Sequence, residues 1–201
     1  MPDAGAPDPL RQNAAAKQRA IDCLWQLGGN PDRPRYGYLY AILDAARDPA
    51  IYQGLRRLSA SEPVLGLYQG PTARELAGVA PYIVSLGTTN QVFDWIWNHG
   101  WGESWGIFFW SLVSMETLRD HFRRLTMVRG PEGKRMLFRF YDPRVLRVFA
   151  PICDPDQVRE LFGPVTRYMM EAEGGGAIVV VRPATGAAGE PVVTTTETLV
   201  E

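Results

Sequence analysis

Three carboxylates stand where apolar runs end: Asp44, Asp48 and Asp142. Strand ends are where layered α/β proteins place many of their sites, and two carboxylates held close there can divide acid and base work between them. Asp48 and Asp142 are each followed by proline. That is the pattern of a helix N-cap, worth roughly 1 kcal/mol per cap, so helix starts account for both without catalysis. The group Arg139, Tyr141, Asp142 and Arg144 poses a different problem, because a guanidinium within an apolar run must be paired or exposed. The reading favoured here is an Arg139 salt bridge with Asp44 as partner, which fixes two strand ends against each other; direct contact with a bound protein is the alternative.

Other reactive side chains are scarce. The chain has two histidines: His99 beside Gly100 at an expected helix end, where imidazole can bond the last carbonyls, and His121 on an arginine-rich helix face expected to be exposed. Cys23 and Cys153 lie far apart with no CxxC pair or histidine cluster, so they read as reduced thiols rather than zinc ligands. There is no GxSxG elbow, phosphate-binding GxxxxGK[ST] loop or HExxH helix, and Gly174-Gly175-Gly176 lacks the following helix that a phosphate cradle needs. The sequence therefore predicts no catalytic residue, no cofactor and no metal.

Trp95, Trp97, Trp101, Trp105 and Trp110 crowd one short region. Trp95 falls off the Val92, Phe93 and Ile96 stripe and Trp101 lies in a glycine-flanked turn, which makes Trp95, Trp97 and Trp101 candidates for a protein interface. The competing reading is that all five close the core.

The elements that must position these residues are legible in outline. The chain has 201 residues, 46% hydrophobic and 21% charged, with a formal net charge of −1. It is long enough for one substantial core and carries no electrostatic footprint of a nucleic-acid binder. No apolar stretch is long enough to span a membrane, and Met1 to Leu10 lacks the features of a signal peptide, so a cytoplasmic protein is expected. Residues 10–27 pattern as an amphipathic helix that stops at Gly28-Gly29-Asn30-Pro31. Strand-like runs at 38–43, 64–68, 82–86 and 105–110 then alternate with helix patterns begun by Asp48-Pro49, by Thr72 with Glu75, near Val92, and near Ser114. A strand is expected over 136–141, helices after Asp142-Pro143 and Asp154-Pro155, and a hairpin from 165–171 and 177–182. The expected fold class is α/β, a mixed and largely buried sheet with flanking helices, an extra N-terminal helix and a C-terminal hairpin. The organisation expected is an N-terminal extension over 1–34, a main domain over 35–183 and a flexible tail over 184–201.

The string from Phe138 to Leu146, FRFYDPRVL, resembles a hallmark of one family. It occurs with Tyr40 to Ala46, Leu67 to Gly70, Ala80 to Tyr82, Trp105 to Ile107 and Phe162 to Val165, in the order that family shows. The family is the type VI secretion effector chaperones, or adaptors, long catalogued as domain of unknown function 4123. The resemblance implies a non-catalytic cytoplasmic protein that binds a toxic effector encoded nearby and helps load it onto the spike protein of the secretion apparatus. It marks Tyr40, Asp44, Tyr68, Trp105, Arg139, Tyr141, Asp142, Pro143 and Arg144 as structural or binding positions. Two other classes compete: a small-molecule hydrolase-like enzyme using the strand-end carboxylates, and a structural subunit of the apparatus.

Overall fold

A computed structural model describes residues 13–26, 37–86, 91–129 and 132–200. The helix-ending Gly28 to Pro31 lies outside the described residues. The first helix, α1, spans Ala14–Gln26, and the side chain of Asn13 accepts from the N–H groups of Ala15 and Ala16 at its start. The chain then runs β1 (Tyr38–Asp44), α2 (Pro49–Leu58), β2 (Val64–Gly66), α3 (Pro71–Glu75), a 3-10 turn at Ala77–Val79, β3 (Pro81–Ser85), α4 (Gln91–His99) and β4 (Gly106–Ser111). After these come α5 (Met115–Leu125), the short β5 (Met127–Arg129) and β6 (Arg135–Leu137), α6 (Pro143–Phe149), a 3-10 turn at Ala150–Ile152, α7 (Pro155–Phe162), β7 (Val165–Glu171), β8 (Ala177–Thr185) and β9 (Pro191–Leu199).

Among the described residues seven strands form one sheet in the order β2-β3-β1-β4-β7-β8-β9, while β5 and β6 pair only with each other. Each strand presents alternate residues to opposite faces, and here both faces are covered. Leu39, Ala41 and Leu43 of β1 join a core with α1, α2 and α4, through residues such as Leu24, Ile51 and Phe93. Tyr40 and Ile42 join a second core with α5, α6 and α7, through Phe122, Leu146 and Leu161. Helices on both sides of a buried sheet are what the alternating patterns imply.

Strand direction differs from the mixed sheet expected. Every pairing is antiparallel. The reason is topological: β1 and β2 point the same way, but β3 inserts between them, and β1 in turn separates β3 from β4. Parallel strands are thus never neighbours.

Three further expectations are corrected. Residues 191–199 are no flexible tail but β9, paired with β8 along nine positions from Ala177↔Leu199 to Thr185↔Pro191. Its threonines supply little apolar surface, so the order comes from the backbone ladder and from Val200, which is fully buried. The strand expected over 136–141 ends at Leu137; the chain then turns, with the Asp142 N–H donating to the Arg139 carbonyl at 3.0 Å. His121 is 6% exposed rather than on an open helix face, because Gly163 and the Leu161 carbonyl close over its ring.

Most helix starts follow the sequence signals; Thr72, read with Glu75 as a capping pair, instead lies inside α3, which begins at Pro71 and ends at Glu75. Asp48, Ser114, Asp142 and Asp154 are N-caps, and Asp154 with Gln157 completes a reciprocal capping box.

Candidate functional site

Asp44 is the last residue of β1 and shares the face of Tyr40 and Ile42, so it forms the polar end of a buried stripe. Its N–H donates to the Trp105 carbonyl at 2.8 Å, and its Oδ1 accepts from the Ala46 N–H at 3.0 Å. Oδ2 lies 3.6 Å from Nη1 of Arg139, whose side chain is 45% exposed. Burial pushes the Asp44 carboxyl upward, while the Ala46 N–H and Arg139 pull the other way.

Tyr141 is buried, and the Asp44 charge and Tyr68, which follows β2, both act on its hydroxyl. Burial, reinforced by the Asp44 charge and by Tyr68, raises the Tyr141 phenol far above its ordinary range. The phenol therefore keeps its proton. The neighbouring Asp142 caps α6: Oδ1 accepts from the N–H and the Nε of Arg144 at 3.0 and 2.9 Å, and Oδ2 accepts from Nη2 at 2.5 Å. This two-pronged geometry is the strong form of a charged hydrogen bond. Burial alone would raise the Asp142 carboxyl, but the Arg144 bonds outweigh it and hold the group below its ordinary value. Pro143 sits buried at the first helical position.

The fold therefore gathers Asp44, Tyr68, Arg139, Tyr141, Asp142 and Arg144 at one end of the sheet. Trp105 joins through its backbone carbonyl. Both carboxylates are engaged in holding turns and caps, and among the described residues no group of three His, Cys, Asp or Glu side chains is placed to hold a metal ion.

Comparison with known families adds the deciding observation: the family described as "Domain of unknown function (DUF4123)" matches residues 39–160. The chain belongs to this family. The DUF4123 match runs from β1 to α7 and so takes in the whole Asp44 cluster. One relative is the accessory protein VasW of Vibrio cholerae serotype O1, 34% identical over 101 residues, which are 50% of this chain and 33% of VasW. The chain thus spans about a third of the length of that relative. No solved structure matches.

Other candidates of this DUF4123 chain lie away from the cluster. Tyr40 is buried and stacked on Phe109 at 5.4 Å, its phenol pushed up to about 12 by burial, by Tyr38 and by Glu116. Trp97 and Trp101 are 0% and 1% exposed, so neither presents a surface to a partner. They pack on each other at 4.8 Å and close the core between α4 and the sheet. Trp95 is half-buried; its ring covers Gly54 of α2, where a Cβ would come within 2.1 Å of it, and faces Trp105 at 5.2 Å.

Sequence reasoning missed Glu171. This residue ends β7, is 5% exposed, and accepts from the N–H of Gly102 at 2.7 Å and of Ser104 at 2.5 Å. Burial raises its carboxyl, opposed by those two bonds and by Arg147. Arg147 in turn donates to the Glu171 carbonyl, and Trp101 Nε1 donates to the Gly175 carbonyl at 2.8 Å. One signal was available: a lone carboxylate closing the apolar run Tyr168-Met169-Met170.

Proposed function

We propose that this chain is a non-enzymatic adaptor that binds a toxic effector protein encoded nearby and loads it, in the cytoplasm, onto the spike protein of a type VI secretion apparatus. The observation that carries this reading is the DUF4123 match over 39–160, together with the ordered motifs, of which all but Phe162 to Val165 fall inside it. VasW, named as an accessory protein, agrees with an auxiliary role. The architecture supports the absence of turnover: the motif carboxylates are spent on structure, Asp142 in a fork with Arg144 and Asp44 beneath Arg139. A hydrolase-like enzyme would instead present such groups to a pocket. No helix among the described residues is long and apolar enough to cross a membrane.

The test is coexpression of the chain with the products of the genes beside it, followed by affinity capture and size-exclusion chromatography. An adaptor gives a stoichiometric complex with a neighbouring toxin. A lone monomer that ignores every neighbour contradicts the reading.

A further inference from the structure

The β5–β6 ribbon is the part of the fold that the two cores account for least. It forms a sheet of its own, and two-stranded ribbons are marginal in water unless something packs on them. Met127 pairs with Leu137 and Val128 with Met136, so each face of the ribbon carries one apolar pair. All four are exposed, from 37% at Val128 to 52% at Met136. At the base of the ribbon a cavity of about 230 Å³ opens between Leu125, Val128, Phe138, Phe149 and the α7 residues Gln157, Glu160 and Leu161. Phe138 and Phe149 meet edge-to-face there at 4.7 Å. The cavity is smaller than the roughly 300–1,000 Å³ typical of small-molecule sites, and its scale suits the apolar anchors of a protein segment.

Charge singles out the occupant. From Arg119 to Arg135 the chain has six Arg or Lys and two acidic residues, a net of +4 within a protein of net −1. Arg124 is exposed on the last turn of α5, Lys134 pairs with Glu132, and Arg123 is tied to the Leu67 carbonyl and Asp120. Glu160 is the acidic group in the cavity lining. A second copy meeting this face with its own would bring the same positive segment and be repelled, whereas an acidic segment is attracted.

We propose that the ribbon and the cavity at its base dock an acidic, amphipathic segment of a partner protein, with apolar anchors seated on Val128, Phe138 and Phe149. That the partner is the toxin or the spike rests on the adaptor reading; the chemistry of the surface does not.

The probe is a synthetic fifteen-residue peptide with Leu and Phe at helical spacing and Asp or Glu elsewhere, set against a twin with Lys in the acidic positions. Binding to the full chain is followed by fluorescence anisotropy, for wild type and for Met127→Glu/Met136→Glu, whose sites are exposed and whose folding is checked by thermal melting. The acidic peptide is expected to bind wild type, at least about tenfold more weakly in the variant and at high salt, with no binding of the twin. Equal binding of both peptides, binding of neither, or acidic-peptide binding that the variant leaves unchanged overturns the proposal. So does capture by anionic phospholipid vesicles without peptide binding, or a wild-type dimer that the variant converts to monomer. If a neighbouring toxin copurifies with the variant as well as with wild type, this surface falls and the adaptor reading stands. If no neighbour copurifies with wild type while the acidic peptide binds at the ribbon, the surface stands and the adaptor reading falls.

Discussion

Arg139 reaches from the turn before α6 to set its guanidinium 3.6 Å from Oδ2 of Asp44, a carboxylate with 1% of its side chain exposed. The separation is that of an ion pair rather than a hydrogen bond, and Oδ2 has no hydrogen-bond partner among the described residues. Arg139→Ala is expected to cost about 1 kcal/mol, since its own half-exposed head is screened by water while the charge it leaves behind is buried. Asp44→Asn in the same background should recover much of the loss, because it removes that charge and keeps an acceptor for the Ala46 N–H. A double-mutant cycle in urea measures both; full additivity of the two substitutions contradicts the pairing.

The same burial sets a pH dependence. Asp44 and Glu171 titrate in the folded protein above their ordinary values of 3.8 and 4.5. Between ordinary and raised values the folded state binds more protons than the unfolded one, so their contribution to stability falls as pH rises through that window. Asp142 is shifted downward, and its contribution is lost only on acidification below the ordinary Asp range. Acidification through the Asp44 and Glu171 window should therefore add stability, with a shallower slope in Asp44→Asn, whereas the buried His121, held below its ordinary 6.5, opposes it where a free imidazole takes up its proton. Urea melts across a pH series check this, and an unchanged slope in the variant counts against it.

Glu171→Ala removes the acceptor of two backbone N–H groups at once. Each donor left unsatisfied costs about 1–3 kcal/mol, and at this size 1 kcal/mol lowers Tm by roughly 2–4 °C. The drop in Tm should come with faster amide exchange at Gly102 and Ser104. Protection that persists at both amides would show that the carboxylate does not hold the loop.

Trp97→Ala and Trp101→Ala should each destabilise by about 3–5 kcal/mol, the range for emptying a large core site. Partner binding, measured well below the melting point of each variant, should survive. Loss of binding in a variant that stays fully folded would return these residues to the interface.

Much of this was readable in advance because local signals agreed with the global fold. Asp-Pro pairs and Ser114 placed helix starts, apolar runs placed β1, β3 and β4, and the unsatisfied charge of Arg139 pointed to Asp44. What was not readable depends on parts of the chain that meet only after folding. His121 shares a helix with exposed arginines, and its burial comes from Gly163 and Leu161. The partners of Glu171 come from the turn at Gly102 to Ser104. The threonine-rich β9 has no apolar alternation of its own and takes its order from the ladder with β8. Strand direction followed from β3 inserting beside β1, which no local pattern encodes.

Delivery is tested most closely by the amount of neighbouring toxin found with the secreted spike protein in cells that have or lack this chain. Toxin should disappear from the spike fraction when the chain is removed and return when it is supplied again. Undiminished toxin on the spike in its absence would contradict the account.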